Sequence, residues 1–425
     1  MMSAAHEARQ STPSSLFGNK NFLRLFAAQA TSLVGSGVTS VALAAFAYQL
    51  VGRNATAVVG TALALRILAF VTISPIAGVL ADRVDRKRIL VAADLLRVLL
   101  MGVFPFITAV WQIYGLIFAI NAVTAFFTPT FEASIPELVG QRLYTRAIAL
   151  SRVATDLEGI AGPMIAGLLI ALVGVRWTFW FDAATYVVSA LLVWGARVPR
   201  AQRPSTPFPW GDFTSQITHG TRLLLREPAL RQALLLHMAE AAAGAAAIVA
   251  TVVYVRDVLG RGETSFAMAM VAVGIGSSVA AVLVTRRAEQ VRGHLEYHHW
   301  ARRTLLLGGA LLAAALLPGV LRPSYALLLA LWTLNGAGQA LVAVPSVGLL
   351  AEHAEPSERG RAYAAHFALT HLFWLATYPA VGFLARAVGV PLTFTLAGGF
   401  AVLATVAAML VGSTHRAHAI LRDGR

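Results

Sequence analysis

The chain has 425 residues, of which 57% are hydrophobic and 13% are charged, and its formal net charge is +14. A soluble globular protein carries about 25% charged residues, so this composition excludes the ordinary soluble class. The basic residues fall in short loops between apolar runs, which argues against nucleic acid as a partner, and the absence of cysteine excludes disulfides and thiolate metal sites.

Apolar runs of about 20 residues or more recur along the chain, and each can cross a roughly 30 Å hydrocarbon core as a helix. Strands of a membrane barrel would alternate over about ten residues instead, so the pattern predicts an all-α membrane protein. A polar tail at 1–21 has no signal-peptide core. Twelve transmembrane helices are predicted at 22–50, 58–79, 89–109, 113–135, 147–173, 178–198, 229–254, 264–284, 304–321, 325–350, 362–385 and 392–413.

A hydrophilic, proline-containing linker at 199–228 divides these spans into two halves of six, at 22–198 and 229–413. Asp82 lies in a basic loop 60 residues into the first half, and Glu289 lies in a basic loop at the same offset in the second. Parallel six-helix repeats are a known transporter architecture. The sequence therefore predicts two six-helix pseudo-repeats.

The distribution of Lys and Arg predicts the orientation. If the N-terminus is cytoplasmic, 25 basic residues lie on the cytoplasmic side and six on the other. Short cytoplasmic loops are enriched in Lys and Arg, so both termini, including the tail at 414–425, are expected in the cytoplasm.

The loop after the second span reads GVLADRVDRKRIL over residues 78–90. It resembles the signature Gly-x-Leu-Ala-Asp-Arg-x-Gly-Arg-Lys of the major facilitator superfamily, with Asp85 in place of the second glycine. The resemblance implies a secondary transporter that works by alternating access, in which this loop favours one access state. The residues that it implicates in this conformational switch are Gly78, Asp82, Arg83, Arg86 and Lys87.

A second motif lies in the fifth span, where GIAGPMIAG resembles the Gly-Pro-x-x-Gly-Gly element of antiporters in the same superfamily. Gly162, Pro163 and Gly167 match, and Ala166 replaces a glycine. Small residues allow close helix approach, and the proline weakens the local backbone hydrogen bonding. The resemblance implies export across the inner membrane in exchange for protons.

Longer stretches resemble particular branches of the superfamily. Two stretches are similar to drug, macrolide and siderophore exporters: FTPTFEASIPELV (127–139) and YVRDVLG (254–260). Two others are more similar to nickel-resistance exporters: SRVATDLEG (151–159) and AHFALTHLFWLATYPAVGFLA (365–385). The resemblance thus leaves two classes of cargo open.

Ionisable side chains at membrane depth cost about 3 kcal/mol or more, so each needs a functional or structural reason. The resemblance to the superfamily implies that the third and sixth spans lie outside the central cavity, so structural ion pairs or hydrogen bonds are expected for Asp94, Arg97 and Asp182. The residues predicted to bind cargo or the coupling proton are Arg66, Asp156, Glu158, His237, Glu240, His366 and His371.

Spacing limits how these candidates act together. His237 and Glu240 are three residues apart, so they share a helix face and either meet one cation, form one proton relay or simply pair with each other. His366 and His371 point about 140° apart, so they are not both expected on one ligand.

The span-five carboxylates are limited in the same way. Asp156 and Glu158 point about 200° apart, so only one of them faces the cavity. Arg152, one turn before Asp156, is an alternative partner for that carboxylate, and Arg66 is a candidate to balance either one.

No enzyme signature is present. The glycine pairs at 274 and 276, and at 336 and 338, follow no strand and are expected to pack membrane helices, and no phosphate-binding Gly-x-x-x-x-Gly-Lys-Ser/Thr loop occurs. The expected partners are a small-molecule or metal-ion substrate, protons and the lipid bilayer, with no cofactor and no nucleic acid. A monomer is expected.

The predicted function is export of a toxic cytosolic solute by proton antiport. The favoured cargo is a divalent transition metal such as nickel or cobalt, held by His237, Glu240 and His371, because imidazole and carboxylate groups suit such ions. The alternative cargo is a drug, macrolide or siderophore, suggested by Trp374 and Tyr378, and a receptor or scaffold that does not transport is a third possibility.

Overall fold

A computed structural model describes the backbone of residues 16–81, 84–198, 220–291, 294–354 and 359–423. Within these ranges, most side chains between 141 and 164 and those from 412 onward lie outside the description. Every regular element in the described residues is a helix or a helical turn. The predicted all-α class is therefore confirmed.

The first part of the chain forms long apolar helices. Gly140 has φ 70° and ψ 166°, a conformation that favours glycine, and it breaks the segment Val110–Val173 into two helices that match the fourth and fifth predicted spans. The helices are α1 (Lys20–Val51), α2 (Ala55–Ala81), α3 (Arg86–Val103), α4 (Val110–Val173) and α5 (Val175–Gly195).

The second part of the chain is built in the same way. Its first helix continues to Val258 through two π-helical turns, Ala246–Ala250 and Tyr254–Val258, which are often found at functional positions in helices. The helices are α6 (Pro228–Ala245), α7 (Glu263–Gln290), α8 (His294–Leu316), α9 (Tyr325–His353), α10 (Arg359–Val388) and α11 (Val390–Asp423).

Ten segments of the described chain are long and apolar enough to span a membrane. One of them, Lys20–Ser74, is 55 residues long and covers the first two predicted spans, α1 and most of α2. The fifth predicted span is the second part of α4, where most side chains lie outside the description. The ten segments therefore agree with twelve predicted helices.

The chain forms two compact units, Met1–Ala42 with Leu68–Phe208 and Leu43–Ile67 with Pro209–Arg425. In the first unit, α3 packs on α4 and α5; in the second, α7 and α8 pack on α9, and α6 packs on α10 and α11. The division at the 199–228 linker stays a prediction, because most of that linker lies outside the described residues.

Glycines bring α7 and α9 close together, as the sequence predicts. A Cβ atom on Gly276 would collide with the carbonyl oxygen of Thr333, and one on Gly336 would collide with that of Val273. Such contacts are typical of helix packing in lipid.

The first unit contains a buried ion pair. Arg97 bonds to Asp94 one turn earlier, Ser189 donates a 2.7 Å hydrogen bond to the same carboxylate, and the guanidinium lies 4.4 Å from the ring centroids of Phe127 and Tyr186. Asp182 accepts a 2.5 Å hydrogen bond from Thr39. The predicted structural roles of Asp94, Arg97 and Asp182 are confirmed.

Candidate functional site

His237, Glu240 and His366 form a hydrogen-bonded group, called the central cluster below. Nδ1 of His237 lies 2.5 Å from Oε2 of Glu240, and Nε2 of His237 lies 3.2 Å from Nε2 of His366. The His237 side chain is 7% exposed and that of Glu240 12%. A neutral imidazole donates from one nitrogen and accepts at the other. His237 can therefore connect the Glu240 carboxylate to the His366 imidazole through a continuous chain of two hydrogen bonds.

Small residues explain why α6 and α10 approach each other at this cluster. Residues 241–247 of α6 read AAAGAAA. A Cβ atom on Gly244 would collide with the indole ring of Trp374, and Thr377 donates a 3.2 Å hydrogen bond to the carbonyl oxygen of Ala241. The close approach of the two helices brings the two histidine rings to a centroid separation of 4.9 Å.

His371 has different neighbours from the central cluster. Its Nδ1 lies 2.9 Å from the carbonyl oxygen of Phe367, and its ring stacks on the Phe367 ring at 3.7 Å between centroids. Among the described residues, no group of three or more His, Cys, Asp or Glu side chains is arranged to hold a metal ion. The structure thus brings His237 and Glu240 together with His366 and not with His371.

The fifth-span candidates are described only in part. Asp156, Glu158 and Pro163 lie on the helical backbone of α4, but their side chains are outside the described residues. Gly162 lies against α1, because a Cβ atom on it would be 2.6 Å from the Cα and carbonyl carbon of Gly37. Gly167 is buried. Gly162 therefore allows the close helix approach expected of the antiporter element.

The signature loop is also described in part. Asp82 and Arg83 lie outside the described residues, and Gly78 lies on α2 with its surroundings undescribed. Arg86 begins α3 and forms an ion pair of 2.8 Å with Glu137 of α4 and a 2.9 Å hydrogen bond to the Ala133 carbonyl oxygen. This part of the loop therefore ties α3 to α4.

Asp85 and Lys87 lie at the start of α3. Asp85 is the N-cap residue, with its carboxylate accepting hydrogen bonds of 3.0 and 3.3 Å from the backbone N–H groups of Lys87 and Arg88. Side chains with this role satisfy N–H groups that have no partner inside the helix. The departure from the family signature at residue 85 thus supplies a helix cap.

Sequence reasoning missed a second polar group, called the outer cluster below, formed by Tyr48, Arg53 and Asp257. The Tyr48 hydroxyl bonds to Oδ1 of Asp257, and Nε of Arg53 lies 3.1 Å from Oδ2. Beside it, Gln49 donates a 2.9 Å hydrogen bond to Glu263. The sequence did contain a signal for this cluster, because Asp257 lies between Arg256 and Arg261, two of the six basic residues predicted on the external side.

Comparison with known proteins agrees with this architecture. The family model described as the Major Facilitator Superfamily matches residues 25–297 and 297–423. The chain is 26% identical over 334 residues to the uncharacterized MFS-type transporter YfiS of Bacillus subtilis, covering 78% of this chain and 79% of the relative. It is 27% identical over 184 residues to macrolide efflux protein A of Streptococcus pyogenes, covering 42% of this chain and 45% of the relative.

A solved structure shows the same fold. It is that of a bacterial homolog of the human lysosomal transporter Spinster, in an inward-facing and unoccupied conformation. The TM-score is 0.74 at 13% identity, and the match covers 95% of this chain and 98% of that one. At this identity the match shows the fold alone, which is the predicted arrangement of twelve helices in two six-helix repeats.

Proposed function

The chain belongs to the major facilitator superfamily, and from this premise we propose that it exports a cytosolic solute in exchange for protons carried by the central cluster. It is a multi-pass membrane transporter rather than an enzyme, and its relatives include efflux pumps. The remaining question is how protons and cargo are coupled.

The observation that carries the proposal is the continuous contact from Glu240 through His237 to His366. The 3.2 Å separation of the two Nε2 atoms needs a lone pair on one of them, so the contact is compatible with at most one imidazolium. A second proton would place two like charges side by side in a buried site and separate the rings. The proton count of the cluster is thereby coupled to the contact between α6 and α10.

We assign the cargo to the organic class, on the strength of the macrolide relative. That match covers less than half of either protein, so the class of cargo is part of the proposal. The coupling ion, an inner-membrane location and cytoplasmic termini are parts of the same proposal. The last is supported by the distribution of Lys and Arg.

A divalent metal is the second candidate, because one feature of the central cluster favours it. Two nitrogen ligands at about 2.0–2.1 Å from a tetrahedral ion are about 3.3 Å apart, close to the 3.2 Å between the Nε2 atoms of His237 and His366. Glu240 would then orient His237 through Nδ1, as carboxylates commonly do for metal-binding histidines. This ligand pair differs from the predicted set by replacing His371 with His366.

Transport in proteoliposomes with an imposed pH gradient tests the proposal. We expect uptake of a macrolide to depend on the gradient and Glu240→Gln to reduce this dependence at least tenfold, while exchange of cargo without a gradient continues. Glu352→Gln is the matched control, since Glu352 also faces a histidine, His298 at 3.6 Å, outside the central cluster.

Two results decide the proposal and its alternative. Equal gradient-driven transport by Glu240→Gln and the parent protein would refute the coupling role. In the same vesicles, cobalt-dependent proton movement that His366→Asn abolishes would replace the organic cargo by the metal.

A further inference from the structure

One face of α10 carries a row of rings, called the aromatic ladder below: Phe367, His371, Trp374 and Tyr378. They are spaced by four, three and four residues, so they follow one another along the same side of the helix. Phe367 stacks on His371 at 3.7 Å between centroids and 28° between planes, and Trp374 lies 5.1 Å from Tyr378. Phe367 is 42% exposed and the other three are half-buried, so the ladder presents ring surface.

The helix α2 crosses α10 beside this ladder, and its contacts fix the register. Thr56 donates a 3.0 Å hydrogen bond to the carbonyl oxygen of Gly382, and a Cβ atom on Gly60 would collide with the carbonyl oxygen of Tyr378. Four residues forward on α2 thus correspond to four residues back on α10. Continued for six more residues of α2, this register places Arg66 level with Leu372, the residue next to His371.

Electrostatic effects support that placement. Arg66 lies near enough to both His371 and Tyr378, which are two turns apart on the ladder, for its charge to influence them. Arg66 is exposed, and among the side chains that the structure describes it forms no ion pair. An ionised guanidinium within a membrane span faces water or an anion rather than lipid. A cation that pairs with no described acidic side chain therefore lies near the aromatic ladder.

We propose that the aromatic ladder and Arg66 together form a subsite for a planar aromatic cargo that carries an ionised acid group. The ring of the cargo would stack on the half-buried rings of the ladder, and its acid group would accept paired hydrogen bonds from the guanidinium. This inference rests on the proposed export function and names the class of organic compound exported.

Gly244 contributes to the shape of this subsite. Because it has no side chain, the indole of Trp374 can lie directly against α6, where a Cβ atom would collide with it. The indole is thereby fixed next to Tyr378 and stays only half-buried. A held aromatic ring loses little entropy when a ligand stacks on it, which favours binding.

Equilibrium dialysis with the full chain in lipid nanodiscs tests the proposal without any proton gradient. The probes are 2-naphthoate and its neutral counterpart 2-naphthamide, which share the same ring system. We expect the parent protein to bind the acid at least about tenfold more tightly than the amide. Arg66→Gln should remove that difference, whereas Arg66→Lys should retain only part of it, because it keeps the charge but cannot donate the paired hydrogen bonds.

A second variant tests the ladder. Trp374→Ala should weaken binding of both probes about fivefold and leave the ratio between them unchanged, because stacking does not depend on the acid group. Arg287→Gln is the control for general surface charge, since Arg287 is exposed and contacts Gln290 instead. It should leave both affinities unchanged.

Several outcomes would overturn the inference. Equal binding of the acid and the amide to the parent protein would show that a carboxylate of the chain already neutralises Arg66, and the absence of acid binding would refute the subsite outright. An unchanged acid affinity in Arg66→Gln would have the same meaning. Each of these results leaves proton-coupled export intact, because that function is measured separately with Glu240→Gln and a pH gradient.

Discussion

Breaking the outer cluster should release the end of α1 and the turn after it from the segment that contains Asp257, and so open this region to water. Asp257 is the residue to change. Its two carboxylate oxygens accept separately from Tyr48 and Arg53, so both contacts depend on it. Asp257→Ala removes both contacts. Asp257→Asn keeps the approximate shape and one oxygen acceptor but removes the charge.

The magnitude follows from how exposed the partners are. The side chain of Arg53 is 87% exposed and that of Asp257 18%, so their ion pair contributes about 0.5 kcal/mol. The hydrogen bond from Tyr48 to a carboxylate in this exposed position adds about 1 kcal/mol, below the range for charged groups. Asp257→Ala should therefore raise the population of the opened state about tenfold, and Asp257→Asn about threefold.

The absence of cysteine makes the assay direct, because a single introduced thiol is the only target. Thr56 is fully buried at the start of α2, directly after the turn that contains Arg53, so Thr56→Cys reacts with a membrane-impermeant maleimide only when this region opens. Labelling should be about tenfold faster with Asp257→Ala added. The control is Gln49→Ala, which removes an exposed hydrogen bond to Glu263 but leaves both contacts of Asp257 in place, and it should change the rate less than twofold. Equal rates for Asp257→Ala and the parent would refute the reasoning.

Two further predictions concern the first unit. Arg97→Met leaves Asp94 buried without its cation and should lower the free energy of unfolding by about 3–5 kcal/mol, seen as a lower Tm in detergent; a double variant with Asp94→Asn should recover part of the loss. Gly162→Ala places a Cβ atom 2.6 Å from Gly37 and should cost about 1–3 kcal/mol and reduce transport. Gly115→Ala is its control, because Gly115 lies in the part of α4 before Gly140 and a Cβ atom there has no atom within 4 Å; similar losses in both variants would contradict the packing argument.

The helical class and the spans were predictable because the cost of exposing backbone polar groups to lipid leaves few solutions for long apolar runs. The pair of Asp94 and Arg97 was predictable for a similar reason. Residues three apart lie on one helix face, and a charge in a span needs a partner. Both predictions depend only on residues within one helix and on the lipid around it, so the local sequence is sufficient to make them.

The role of Asp85 shows where a family pattern is less informative than local geometry. The usual residue at its position is glycine, which suggests a backbone conformation that other residues avoid. Asp85 has φ −59° and ψ 111°, which every residue type can adopt, and its carboxylate caps α3. The sequence already contained this cap as an aspartate directly before a helix.

The pairing of His237 with His366 rather than His371 could not be predicted, because spacing along a helix gives relative directions and not the absolute rotation of the helix. The two histidines of α10 were known to point about 140° apart. Which of them faces α6 depends on the fit of Trp374 against Gly244 and of Thr377 against Ala241. A larger residue at 244 would push the indole away and turn α10. The choice of histidine at the candidate site is thus made by a glycine on the opposite helix, which no motif singles out.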